Sequence, residues 1–321
     1  MNSDIPSRVA ASLALLDDYL ASLTAAAPTS SRLLDHVYRG VSTYASGGKH
    51  LRAHLVHISA GEVRGARLRA ATVFGASVDM LHGAFLIHDD VIDRDDTRRG
   101  HPSVHAAVRE EFGDAHLGTS LAITAGDLGL TGAVGILLDS DLEDTLVRGA
   151  LRILNGAAQW TIVGEILDIA HSAVPGPAPD LIRLSNDLKT SVYSFGAPLQ
   201  LGALAAGRDP APMEPIAREL GRAYQAADDI AGTVGESGET GKLAGGDVLH
   251  GRATLMTMRM SEGEEPDPGR LAEITAAVAE EGREHLRAAR TLIGDAELEP
   301  GIRSGLHEVT DRIERMLGRY V

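Results

Sequence analysis

Apolar residues recur at three- and four-residue spacing along almost the whole chain, the mark of helices that each turn one face inward. The pattern predicts helices over 9–25, 30–45, 50–60, 66–88, 103–112, 117–138, 142–157 and 159–169. It resumes over 180–206, 214–231, 254–260, 268–292 and 299–320. The stretch before Asp89 differs from the rest. Val78, Leu81, Phe85 and Leu86 keep the helical spacing, while Met80, Ala84 and Ile87 fill much of the remaining circumference. A helix apolar nearly all round is a buried one. Breakers at Ala26-Ala27-Pro28, Pro175-Gly176-Pro177, Asp209-Pro210-Ala211-Pro212 and 262–269 mark surface turns. No hairpin signal joins alternating strands, and no repeat period emerges. No linker is long or polar enough to separate a pair of cores, so the pattern predicts one all-α domain over 1–321. The irregular stretch 232–251, dense in glycine and carrying Lys242 and Asp247, reads either as a lid or as a plain surface loop.

Composition narrows the classes. The chain is 44% hydrophobic with only 3% aromatic residues, which favours close-packed helices over a sandwich of β-branched strands. A net charge of −15 leaves no basic excess to displace counterions from nucleic acid or to dock on anionic lipid. The absence of cysteine excludes a disulfide framework and thiolate catalysis and is compatible with the cytoplasm. Met1-Asn2-Ser3-Asp4 lacks the basic start and apolar core of a signal peptide. The most membrane-like stretch, 121–138, is interrupted by Asp127 and four glycines, so a buried helix is expected there and no stable membrane insertion.

Candidate chemistry sits at the end of the apolar helix. Asp89 and Asp93 are four apart, so their carboxylates share one helix face, and Asp90 lies beside them. Like charges there repel unless a hard cation joins them, and Mg²⁺ takes one or two carboxylates together with phosphate oxygens. Arg98-Arg99-Gly100 follows, two planar forks matched to phosphate. Asp228-Asp229 ends a second apolar-leaning run and is trailed by Gly241-Lys242 and Asp247. Two helices that each end in paired carboxylates and are each trailed by a cation suggest two walls of one cavity for a diphosphate.

With these motifs in order, the chain resembles the polyprenyl synthetase family of trans-type isoprenyl diphosphate synthases from about residue 44 to 256. Five signatures carry the likeness: Gly47-Gly48-Lys49-His50-Leu51-Arg52, Asp89 to Gly100, Gly126-Asp127, Lys189-Thr190, and Gln225-Ala226-Ala227-Asp228-Asp229 with Gly241-Lys242. The resemblance implies a single helical bundle around a central substrate cavity, a homodimer, and Mg²⁺-dependent condensation of isopentenyl diphosphate with an allylic diphosphate. It implies that Asp89, Asp90, Asp93 and Asp228 hold Mg²⁺ and that these four and Lys189 are catalytic. Lys49, Arg52, His82 and Arg99 would bind isopentenyl diphosphate. Arg98, Lys189, Thr190, Gln225, Lys242 and Arg252 would bind the allylic diphosphate.

Without the resemblance some of these residues read differently. His82, inside an apolar helix, is by itself a hydrogen-bonded core histidine, and Lys189-Thr190 an ordinary solvated pair. Lys49 and Arg52 near a helix start oppose the helix dipole, which favours phosphate binding. Asp127 is expected to cap or hydrogen-bond internally, and Arg94, Asp95 and Asp96 to form a solvated helix end. The chain also departs from the family pattern: Gly232 stands where the second acidic motif has its last aspartate, Ala53 where proline is usual, and His50 where arginine is common. Ala84 and Phe85, five and four residues before Asp89, are expected to set product length. Bulky aromatics at both positions favour C15 in related enzymes, so a small Ala84 points to C20 with C15 next. A class I terpene cyclase is the enzymatic rival, opposed by the second cationic set and the scarcity of aromatics. A regulatory subunit of a heteromeric synthase is the non-catalytic one, opposed by the intact first acidic motif.

Overall fold

The computed structural model describes residues 4–173, 178–235, 254–260 and 267–321. Lys242, Asp247 and Arg252 lie outside the described residues. The described elements are α1 (Ile5–Ala25), α2 (Arg32–Ala45), α3 (Leu51–Ala60), α4 (Gly65–Asp93), the short strands β1 (Thr97–Arg98) and β2 (His101–Pro102), α5 (Val104–Phe112), α6 (Ala115–Leu138) and α7 (Asp144–Ala173). They continue with α8 (Pro179–Asn186), a π-helical segment Asp187–Gly196, α9 (Ala197–Ala205), α10 (Met213–Val234), a 3₁₀ turn Thr257–Arg259, α11 (Pro268–Asp295) and α12 (Pro300–Leu317). The all-α expectation holds, with one two-residue antiparallel ladder that the pattern does not signal. The described residues gather into two compact units, one formed by those within 4–152 and 201–208, the other by those within 153–200 and 209–321.

The first unit is built around α4, which packs against α1, α2, α3 and α6. From Ala70 to Ala84 every residue of α4 but His82 is buried, as the all-round apolar pattern requires. Over the last turns one face opens. His82, Phe85, Leu86 and Asp89 are partly exposed, while Met80, Ala84 and Ile87 stay covered. The cover is α6, whose glycines at 126, 129 and 132 admit His88, Ala84 and Met80 of α4 closely, while Gly135 makes room for Tyr19 of α1. A Cβ on Gly129 would lie 2.8 Å from the Ala84 Cβ, so Ala84 is a helix-packing residue.

The stretch 121–138 departs from its expectation. Only 44% of the most apolar window of α6 is buried, and Ile123 and Leu138 are exposed. Its glycine face and the residues beside it take the packing against α4, α5 and α2, which leaves the remainder uncovered.

In the second unit α10 packs against α11, α12 and the π-helical segment. Its buried Ile216, Leu220, Ala223, Ala227 and Ile230 alternate four- and three-residue steps, a single inward stripe. The π-helical segment lies where two glycines let neighbours in: a side chain on Gly164 would strike the backbone of Leu188 and Lys189, and one on Gly221 would strike Ser191. Two predicted boundaries dissolve. Residues 142–169 fall almost wholly within the single helix α7, because no breaker stands at Ala158, and 254–260 holds only one 3₁₀ turn.

Candidate active site

In the first unit the helix ends in a way that gathers cations. Arg94 closes α4 in a left-handed conformation (φ 58°), and the Asp95 amide donates back to the Asp90 carbonyl at 2.9 Å. The chain then makes a tight hairpin, with Thr97 opposite Pro102 and Arg98 opposite His101. Its two turn residues, Arg99 (φ 53°) and Gly100 (φ 77°), both take positive φ, as the common two-residue hairpin turn demands. This places Arg98 over the acidic run. It pairs with Asp89 at 3.1 Å, with Asp90, and with Asp95 at 3.7 Å. Burial alone would lower the Arg98 pKa, but Asp89 and Asp90 outweigh it and raise it. Asp95 and Asp96 are thus more than a solvated helix end, and Asp96 also receives Arg109 at 3.0 Å.

Arg99 turns the other way and lies on the Gly47-Gly48 turn. A Cβ on Gly47 would be 2.8 Å from its Nη1, and one on Gly48, itself at φ 106°, would be 2.7 Å from its Nη2. Lys49 is exposed on that turn and Arg52 opens α3 just beyond it. Burial, then Arg98, pushes the Arg99 pKa down, and Arg52 adds to the effect. Burial followed by the charges of Arg52, Arg99 and Arg98 drives the His82 pKa well below the ordinary value, so the imidazole is neutral. Three guanidinium charges that all act on one neutral histidine are an arrangement that packing does not require and an anion satisfies.

The carboxylates divide. Asp89 and Asp93 are partly exposed at the end of α4. Asp90 is 1% exposed and accepts from the Tyr44 hydroxyl and from Arg98, whose Nε lies 2.7 Å away. Burial raises the Asp90 pKa against the opposing charge of Arg98. Asp90, expected as a metal ligand, therefore has its oxygens engaged by protein donors. Among the described residues no group of three or more histidine or acidic side chains converges as a metal cage. The pair Asp89 and Asp93 nonetheless fits Mg²⁺, which takes few protein oxygens and completes its shell from phosphate and water. Gly126 leaves room for the His88 ring, which bonds to the Ile123 carbonyl at 3.0 Å. Asp127 is exposed rather than internally capped, 3.6 Å from His88 Nε2. Of the two expected length-setting residues, Phe85 is on the partly open face and Ala84 is not.

In the second unit Lys189, within the π-helical segment, is held by two carboxylates of α7, Glu165 at 2.8 Å and Asp168 at 2.9 Å. Thr190 follows it, partly buried. Sequence reasoning misses Glu165 and Asp168; their three-residue spacing directly after Gly164 is the signal that could mark them. Asp228 is exposed, whereas Asp229 is 3% exposed and accepts from Gln225 Nε2 at 2.6 Å and from the Leu255 amide at 2.8 Å. Gln225, expected at substrate, bonds to Asp229. Beyond Leu255, Arg259 donates to the Leu255 carbonyl at 2.9 Å and pairs with Glu281, which also receives Arg183 at 3.1 Å.

Comparison with known proteins matches residues 35–293 to the polyprenyl synthetase family model. A geranylgeranyl diphosphate synthase of Mycobacterium tuberculosis is 36% identical over 214 residues, 65% of this chain and 57% of that one. A farnesyl diphosphate synthase of Escherichia coli is 33% identical over 219 residues, 65% of this chain and 69% of that one. A geranylgeranyl diphosphate synthase of Methanosarcina mazei is 30% identical, and the alignment spans 68% of this chain and 64% of that one. The alignments thus reach less than two thirds of the length of two of these three relatives. Among solved structures, a geranylgeranyl pyrophosphate synthase from Corynebacterium glutamicum, complexed with isoprenyl diphosphate and magnesium, superposes with a TM-score of 0.85. It is 25% identical, with 98% of this chain and 99% of that one covered.

Proposed function

Because the chain belongs to the polyprenyl synthetase family, we propose that it condenses isopentenyl diphosphate head to tail with an allylic diphosphate. The product is a trans-polyprenyl diphosphate of C20, with C15 next. One observation carries this reading: Arg99 lies on the Gly47-Gly48 turn that leads to Lys49 and Arg52, while Arg98 of the same hairpin pairs with Asp89 at the end of α4, where Asp93 is also partly exposed.

The reaction breaks the allylic C–O bond, and the diphosphate leaves with the electron pair. The double bond of isopentenyl diphosphate attacks the allylic cation to form the new C–C bond, and a proton is then lost to restore an alkene. Asp89 and Asp93 would hold Mg²⁺, Asp228 offers a carboxylate to a further ion, and the metal would supply positive charge to the departing diphosphate. Lys49, Arg52 and Arg99 bind the diphosphate of isopentenyl diphosphate, and neutral His82 offers it a hydrogen bond without adding charge. Arg98 ties Asp89 to Asp90 and so fixes the carboxylate that faces the metal. Lys189 is poised by Glu165 and Asp168 for the allylic diphosphate, with Thr190 beside it. Fixed charges of this kind need no reorganisation when charge develops, which is where most of the rate comes from.

Product length rests on Phe85, the one aromatic side chain on the open face of α4 a turn before Asp89, and on the small Ala84 beside it, whose lack of bulk favours C20 over C15. A homodimer is supported by the exposed apolar side chains of α7, among them Trp160, Ile162, Val163, Ile166 and Ile169.

The test is an incubation of purified protein with Mg²⁺, isopentenyl diphosphate and, separately, C5, C10 and C15 allylic diphosphates, with products identified by mass. Elongation in C5 steps ending at C20 is expected. A cyclic hydrocarbon from the allylic substrate alone would make the chain a cyclase. No turnover with any starter would make it a subunit that needs a partner.

A further inference from the structure

His50 and Asp79 are outside the chemistry described so far, yet both are built in with care. His50 is a non-glycine residue in the left-handed region (φ 47°, ψ 38°) at the start of α3, and its side chain makes no cap to the helix. Such a conformation is disfavoured for a residue with a side chain and persists only where neighbours hold it. The holder is Asp79 on α4: His50 Nδ1 donates to Asp79 Oδ2 at 2.8 Å. Asp79 is 2% exposed, and a buried carboxylate demands a donor. The His50 carbonyl is also fixed, accepting from the His54 amide and from His54 Nδ1, both at 3.0 Å. His50 therefore has no freedom of its own.

The residues on either side of it are the ones that matter. Lys49 precedes His50, Arg52 follows two residues later, and Gly47-Gly48 carries the Arg99 guanidinium. On α4, Asp79 stands three residues before His82, the imidazole on which those arginine charges act. We propose that Asp79 is a positioning residue for the isopentenyl diphosphate subsite. Through His50 it locks the left-handed corner that splays Lys49 and Arg52 toward one anion. This rests on the function proposed above and assigns the arginine-to-histidine departure at position 50 a purpose: a ring whose Nδ1 reaches Asp79 keeps the corner without adding a fourth permanent cation to the cluster. Asp79 touches neither substrate nor metal in this scheme and acts only through His50.

The test compares Asp79→Asn, His50→Asn and the double variant. Asparagine tolerates the left-handed backbone at position 50 but is too short to replace the ring. Michaelis constants are measured for both substrates, and binding of inorganic diphosphate in EDTA is followed by calorimetry. Each single variant is expected to raise the KM for isopentenyl diphosphate about tenfold, equivalent to about 1.4 kcal/mol, with the allylic KM within about twofold of wild type. The double variant should be no worse than either single one, because the pair acts as a unit. Equal increases in both KM values, or additive losses in the double variant, would reduce the pair to a general packing contact and overturn the proposal. If wild type condenses nothing but binds diphosphate about tenfold more tightly than both variants, the positioning role stands and the proposed reaction falls. If the variants bind diphosphate as wild type does, the positioning role falls whatever the reaction.

Discussion

The two Asp-Asp pairs share a design and differ in what surrounds them. In each, the first carboxylate is the more exposed and the second is buried and taken by protein donors: Asp90 by Tyr44 and Arg98, Asp229 by Gln225 and the Leu255 amide. The i,i+1 geometry of a helix compels this split, because neighbours point about 100° apart and cannot serve one ligand from one face. The difference lies in the donors. Asp90 is tied to a guanidinium that also reaches Asp89, so its anchor is electrostatically coupled to the outward carboxylate. Asp229 is tied to two neutral amide groups, and its work is to dock the segment at Leu255 onto α10. The first pair also has Asp93 one turn on, where the second has Gly232. In the proposed reaction the first pair would carry the chemistry, and the second would be chiefly a structural anchor with one outward carboxylate at Asp228.

Replacement of Asp89 should cost most. Asp89→Ala is expected to lower kcat/KM on the order of 10³-fold, about 4 kcal/mol of transition-state stabilisation, with the fold intact by circular dichroism. Asp228→Ala should lose distinctly less; equal losses would erase the asymmetry between the pairs. Asp90→Ala leaves Tyr44 and Arg98 facing a void, and urea denaturation should show a destabilisation of roughly 3–5 kcal/mol.

Acid separates these anchors from the rest of the core. His57 is fully buried against Ser12 at 2.9 Å, and burial, then Arg8 and His54, push its pKa down to about 3. The unfolded chain thus binds a proton that the folded chain refuses, so stability is complete above about pH 6.5 and falls as pH drops toward 3. The loss at about pH 4.5 should be about 3 kcal/mol, and His57→Gln should remove that component. Asp90 works in the opposite sense, since its raised pKa makes the folded state bind its proton first. An effect no larger than that of His57 is expected at the second pair. Asp229→Ala forfeits two hydrogen bonds that neutral donors make to a carboxylate, about 3 kcal/mol, and should speed hydrogen exchange at the Leu255 amide more than across α10.

Much of this was legible in the sequence because helical spacing encodes which face is buried. The apolar run before Asp89 foretold a buried α4, and the Asp89–Asp93 interval foretold a shared face. The hairpin at Thr97–Pro102 was not legible, since its turn is Arg-Gly rather than a sequence pair known for positive φ at both places. Nor was the role of Ala84: its covering by Gly129 depends on the approach of α6, which no local pattern at α4 records. The π-helical segment was hidden for the same reason, because Gly164 and Gly221 act on it from α7 and α10. Burial periodicity separates inward from outward residues, but the donors that claimed Asp90 and Asp229 come from elsewhere in the chain or, for Gln225, depend on a side-chain conformation.

The most direct test is the rate of condensation as a function of Mg²⁺ concentration for wild type, Asp89→Asn and Asp90→Asn. Asp89→Asn should raise the half-saturating Mg²⁺ at least about tenfold, whereas Asp90→Asn should shift it far less while lowering the unfolding temperature. A shift in Mg²⁺ dependence as large for Asp90→Asn as for Asp89→Asn would contradict the division between an outward ligand and an inward anchor.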